Sequence, residues 1–141
     1  MPNWCQNELN VYGKPKEIER FQKKAINPGD EEKLGSAFSM DKFIPTPKKL
    51  LNGSGWYDWR CENWGTKWDV DACLEWGCPE DEYLEYTFDS AWAPPTTAIE
   101  TIAKKFKKLK FILKYEEPGM CYMGVFKCEK GEVTQDEQLE Y

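Results

Sequence analysis

The chain has 141 residues, 40% hydrophobic and 31% charged, which is the composition of a folded domain rather than of a disordered or membrane-embedded one. Nineteen lysines and arginines stand against 25 aspartates and glutamates, a formal charge of −6 that disfavours a protein built to coat nucleic acid. Histidine is absent, which excludes Ser-His-Asp and Cys-His nucleophile systems, HExxH metalloproteases and His-ligated metals.

Residues 7–12 alternate, Leu9 and Val11 against Glu8 and Asn10, and predict a half-buried strand ending at Gly13. Residues 14–26 predict a helix, with Pro15 in its first turn and Ile18, Phe21, Ala25 and Ile26 on one face. Asn27, Pro28, Gly29 and Asp30 stop it. A long connection over residues 27–68 follows. Residues 69–76 and 83–88 then read as two antiparallel strands around a turn at 77–81. Pro94 and Pro95 open a second helix, in which Thr97 and Glu100 have capping-box spacing. Its buried stripe is Ile99, Ile102, Ala103, Phe106 and Leu109, with Lys104, Lys105, Lys107 and Lys108 towards the other side. Strands are expected at 111–115 and 120–128, and residues 129–141 read as an acidic, frayed tail.

This order predicts an α+β fold, a ferredoxin-like βαββαβ antiparallel sheet with both helices on one face. An extra C-terminal strand extends it at the edge beside the fourth strand. The expected organisation is a single domain over residues 1–141, with a Trp-rich insertion at 27–68 between the first helix and the second strand.

The insertion is too long for a structureless loop in a compact domain, so it is functional or holds a missed element. Its end carries Trp56, Trp59, Trp64 and Trp68, four of the seven tryptophans in the chain. Helices on one face leave the other face of the sheet open, and these rings are expected to fold down on it as a lid. The alternative use is an aromatic cleft that stacks a ligand or peptide, with Arg60, Asn63 and Lys67 as polar handles. Asn63, Trp64, Lys67, Trp68 and Trp92 are the candidate binding residues.

Several strings are distinctive: Pro2 to Gly13 (PNWCQNELNVYG), Trp64 to Asp69 (WGTKWD), Phe88 to Pro95 (FDSAWAPP) and Tyr115 to Gly119 (YEEPG). Together they resemble the YubB-type ferredoxin-like domain of plasmids, phages and bacterial genomes. The resemblance spans Pro2 to about Cys128 and implies the fold above. It implies no activity and brings no catalytic residues.

Candidate chemistry is sparse. Cys5, Cys61, Cys73, Cys78, Cys121 and Cys128 lack CxxC metal-pair spacing, so no metal, no cofactor and six reduced thiols are expected. The carboxylate pairs Asp69/Asp71 and Glu116/Glu117 are the remaining acid–base or Mg²⁺ candidates, and no motif sets their geometry. An RNA-recognition domain shares the topology, yet residues 81–88 (DEYLEYTF) lack its basic-aromatic strand and would repel phosphate. No catalytic residue is assigned. The opening residues carry no basic-then-apolar leader and no apolar run reaches the ~20 residues of a membrane span, so a cytoplasmic location is expected. The reading that results is a non-catalytic binding module for a protein partner or small ligand, with nucleic acid and membrane disfavoured. The alternative is a small enzyme using carboxylates or a thiol in the same cleft.

Overall fold

The structure, a computed structural model, describes residues 2–26 and 37–141. The expected helix stop at residues 27–30 and the first part of the 27–68 insertion lie outside the described residues.

In chain order the elements are β1 (Trp4–Tyr12), α1 (Pro15–Ala25), α2 (Met40–Phe43), α3 (Gly55–Asn63), β2 (Cys73–Cys78) and β3 (Tyr83–Ala91). They continue with α4 (Thr96–Lys105), β4 (Lys110–Glu117), β5 (Tyr122–Glu129) and β6 (Glu132–Glu140). Among the described residues the strands form one sheet in the order β2-β3-β1-β4-β5-β6, with every pairing antiparallel. The first four strands in that order, with α1 and α4, are the ferredoxin-like unit. The α+β reading and its extra C-terminal pairing therefore hold.

Strand periodicity decides which face is buried. Leu9 lies opposite both Tyr86 and Leu113, and Val11 opposite both Leu84 and Phe111, so these side chains share one face. All six are buried. Ile18, Phe21 and Ala25 form the buried stripe of α1, spaced as a 3.6-residue period requires. Phe21 is the hub, with the rings of Phe43, Phe106, Phe111 and Tyr86 at centroid distances of 5.2, 5.5, 5.6 and 6.3 Å. Contacts from α1, α2, the end of α4 and the sheet meet at this one ring, so the helices lie on one face. Among the described residues no helix is long and apolar enough to cross a membrane.

Several expectations need correction. Residues 132–140 are not a frayed tail but β6, paired along β5 from Glu129–Glu132 to Tyr122–Glu140. The ladder alone holds this edge strand, since nearly every side chain on it is exposed. Strand β2 begins at Cys73, not Asp69, and carries a register shift between Leu74 and Trp76. Asp69 instead accepts the Met40 amide at 2.8 Å and the Ser39 hydroxyl at 2.6 Å, binding α2 to the chain before β2. The capping box does not form. Thr97 lies inside α4, and the Ala98 amide instead donates to the Trp64 carbonyl at 3.2 Å. Gly65 makes that cap feasible. Its φ of +88° is a conformation that a side chain resists, and it sits against Pro94 and Thr97.

The tryptophan lid is the largest correction. Trp64 is fully buried in the helix-side core and donates its indole N–H to the Ile44 carbonyl at 3.0 Å. Trp59 packs edge-on against it at 5.9 Å, and the Arg60 guanidinium lies 4.9 Å from the Trp64 ring and 5.1 Å from the Trp56 ring. Three of the four rings thus attach to helix α3 and its end: Trp64 enters the core, Trp59 packs half-buried against it, and Trp56 stays half-buried on α3, so none of the three covers the open face.

Candidate functional site

The five residues singled out in the sequence do not gather at one place. Trp64 is interior. Asn63 is half-buried and donates back to the Trp59 carbonyl at 2.8 Å, a bond internal to α3. Lys67 and Trp68 do belong together, with the ammonium 4.3 Å above the indole centroid. Trp92 is exposed, at a φ of 68° that is unusual for a bulky residue. Its amide donates to the Asn3 carbonyl at 2.8 Å, and its carbonyl accepts the Tyr122 hydroxyl at 2.7 Å. These two bonds hold the strained backbone against the beginning of β1 and the beginning of β5.

Trp4 is the residue that sequence reasoning missed. It is 42% exposed, and its ring lies 5.9 Å from that of Trp68, which is 37% exposed. Trp4, Asp69, Asp71 and Asp89 line a recess of about 230 Å³ beside this pair. A second recess of about 440 Å³ continues from Asp71 and Asp89 past Gln6, Cys73 and Thr87. The two share Asp71 and Asp89, so they form one acidic track along the uncovered side of β1 and β3.

That uncovered side follows from strand alternation. Gln6, Glu8, Asn10 and Tyr12 point opposite to Leu9 and Val11, and their partners Asp89, Thr87, Glu85 and Tyr83 share the same side. Tyr83 anchors one end, donating within reach of Asn10 Oδ1 at 2.8 Å and Glu85 Oε1 at 2.9 Å. Tyr12 and Trp76 pack tilted against Tyr83, with centroids at 4.8 and 5.6 Å. Towards the other end, β1, β4, β5 and β6 line an open concavity of about 920 Å³. Its walls hold Gln6, Glu8, Lys114, Glu116, Met123, Val125, Glu137 and Leu139. An ion pair of Lys114 and Glu8 at 3.7 Å runs along one side of it, and the Tyr141 hydroxyl donates to Glu116. The only hint of this face in the sequence was the outward apolar set Met123, Val125 and Leu139.

The groups suited to catalysis are otherwise engaged. Burial pushes the Cys5 thiol up to about 11, partly offset by the nearby hydroxyls of Tyr122 and Ser90, and burial does the same to Cys128, also to about 11. Both are the reverse of an activated nucleophile. The neighbouring Asp81 carboxylate, 3.1 Å away, raises the Cys78 thiol. Asp69 is saturated by backbone and Ser39, and Glu117 is buried and accepts the Gly119 amide at 2.9 Å. Among the described residues no three His, Cys, Asp or Glu side chains are grouped so as to hold a metal ion. The exposed face presents adjoining, mutually tilted indoles, carboxylates and an apolar strip on a hydrogen-bonded ladder.

The crystal structure of a protein api92 from Yersinia pseudotuberculosis matches this fold with a TM-score of 0.62 at 13% sequence identity, covering 100% of this chain and 98% of that one. No curated protein matches the chain. A family model described as the ferredoxin-like domain in Api92-like protein matches residues 63–141, from the end of α3 through β6. That match spans more than half of the sequence, and the chain belongs to this family.

Proposed function

We propose that the chain is a non-catalytic binding module for a protein partner or small ligand, contacting it through the uncovered sheet face and its tryptophan ledge. The observation that carries this reading is the pair of adjoining, exposed indoles of Trp4 and Trp68, tilted 37° to one another beside the acidic recess. Large exposed aromatics at the rim of a concavity are typical anchors of interfaces. The raised thiols and the structurally engaged Asp69 and Glu117 weigh against the alternative of a carboxylate or thiol enzyme. In this reading the module acts as one ferredoxin-like domain over residues 1–141 in a reducing cytoplasm, and its resemblance to the YubB-type domains of mobile elements rests on the four strings at Pro2 to Gly13, Trp64 to Asp69, Phe88 to Pro95 and Tyr115 to Gly119. The acidic face makes nucleic acid a poor partner.

Affinity capture with the full chain and with Trp4→Ala, Trp68→Ala and Lys67→Ala tests the reading. All three variants are expected to keep the fold and to lose recovered ligand or partner. Retention of every bound species by the three variants, or turnover of a nucleotide or thioester panel by the parent, overturns it.

A further inference from the structure

The 920 Å³ groove has a geometry that restricts what fits it. Strand register puts Gln6, Glu116, Met123 and Leu139 in one row across β1, β4, β5 and β6, and Glu8, Lys114, Val125 and Glu137 in another. Between them run Asn7, Tyr115, Gly124 and Gln138; Gly124 has no side chain and the other three point to the opposite face, so the backbone of all four is the floor. Residues two apart on a strand are about 7 Å apart, which sets the spacing of the two walls. That spacing, taken between side-chain axes, is narrower than the ~10 Å of a helix with its side chains, so a helix does not seat between the rows. Three inter-strand steps of ~4.8 Å make the groove about 14 Å long, the reach of roughly four extended residues.

Its chemistry is divided along that length. The β1 and β4 half presents Glu8 and Glu116 with Lys114, and the β5 and β6 half presents Met123, Val125 and Leu139 with Glu137 at the rim. Met123 and Leu139 are 38% and 62% exposed. Three carboxylates face one ammonium, and the acidic track of Asp71 and Asp89 continues from Gln6. We propose that this groove binds a short extended segment of a partner protein that carries lysine or arginine and an apolar anchor. The proposal rests on the binding-module reading above and names its ligand class. Charge complementarity selects the cations, and the Met123–Val125–Leu139 strip selects the anchor. The lysine ridge of a second copy is a poorer occupant, because Phe106 and Leu109, the apolar residues beside those lysines, are buried in its own core.

The test uses the full chain and fluorescence anisotropy with labelled six-residue peptides, one alternating lysine and leucine, one glutamate and leucine, and one lysine and serine. The lysine–leucine peptide is expected to bind best, more weakly as salt is raised. Glu116→Gln/Glu137→Gln and, separately, Met123→Ser/Leu139→Ser are each expected to weaken it by about tenfold or more. Glu19→Gln/Glu80→Gln removes the same charge elsewhere and is expected to leave binding within about twofold. All four groove positions are exposed or half-buried, so folded variants are expected, checked by circular dichroism. Equal binding of the glutamate–leucine peptide overturns the proposal, as does insensitivity to the groove variants. So does self-association in sedimentation that the peptide does not displace. Loss of binding only in Trp4→Ala or Trp68→Ala overturns the groove assignment while leaving the ledge reading intact, and insensitivity to both sets removes both.

Discussion

The indole of Trp64 donates to the Ile44 carbonyl while its own carbonyl caps α4 through the Ala98 amide, so one residue fastens the insertion to a helix and to the core. Trp64→Ala removes a fully buried ring, leaves the Ile44 carbonyl without its donor and takes the surface from under Arg60. A loss of about 3–5 kcal/mol is expected. Trp68→Ala, on the exposed ledge, is expected to cost less than about 1 kcal/mol. Urea midpoints separate the two, and equal losses contradict this placement. The thiols set an alkaline limit of their own. Cys5 and Cys128 are pushed from an ordinary 9 to about 11 by burial, so the folded state holds their protons more tightly than the unfolded chain does. Their contribution to stability is therefore intact below about 9 and is lost as pH rises through about 11. Buried Tyr86, raised from 10 in the same way, extends the loss further upward. Melting temperatures from neutral pH to pH 11 are expected to fall across that window, less so in a Cys128→Ala chain.

Helix α4 shows how far periodicity carries. Its buried positions Ile99, Ile102 and Ala103 are those of the apolar stripe, joined by Ala98, and Phe106 and Leu109 remain in the core after the helix ends at Lys105. Ile102→Ala and Phe106→Ala are each expected to cost about 2–5 kcal/mol. Lys105→Ala is expected to cost about 1 kcal/mol, because its ammonium donates to the Phe43 carbonyl at 2.6 Å. Chemical denaturation of the three variants checks the order. The same logic explains which elements were legible. The strands and helices of the ferredoxin-like unit bury a face and so write a period into the sequence. Strand β6 buries almost nothing, and its acids read as a tail although its backbone completes a ladder. Helix α3 has no fully buried residue, so its tryptophans gave no helical stripe and suggested a lid. Within β2, Gly77 has a φ of +104°, and a Cβ there would collide with the Tyr83 carbonyl, a constraint invisible without the fold.

Across the whole molecule, the lysines of α4 lie towards the helix layer, and Glu8, Asp89, Glu116 and Glu137 stand on the uncovered sheet with Lys114 and Lys127 among them. The groove was not legible beforehand, because its side chains come from residue 6 to residue 139 and only pairing register brings them together. Of the ledge, Lys67 and Trp68 were legible as a local string, whereas their partner Trp4 lies on another element. The position of β1 has a consequence for how the molecule comes into being. The earliest strand in chain order lies at the centre, with Cys5 opposite Ser90 and Gln6 opposite Glu116. Closing contacts so distant in sequence is slow, on the order of milliseconds to seconds. A nascent chain must therefore carry β1 unpaired past the synthesis of α1 and the tryptophan segment. If synthesis halts before Lys110, Leu9 and Val11 are left on an open edge, exposed to any other chain able to supply the missing strand.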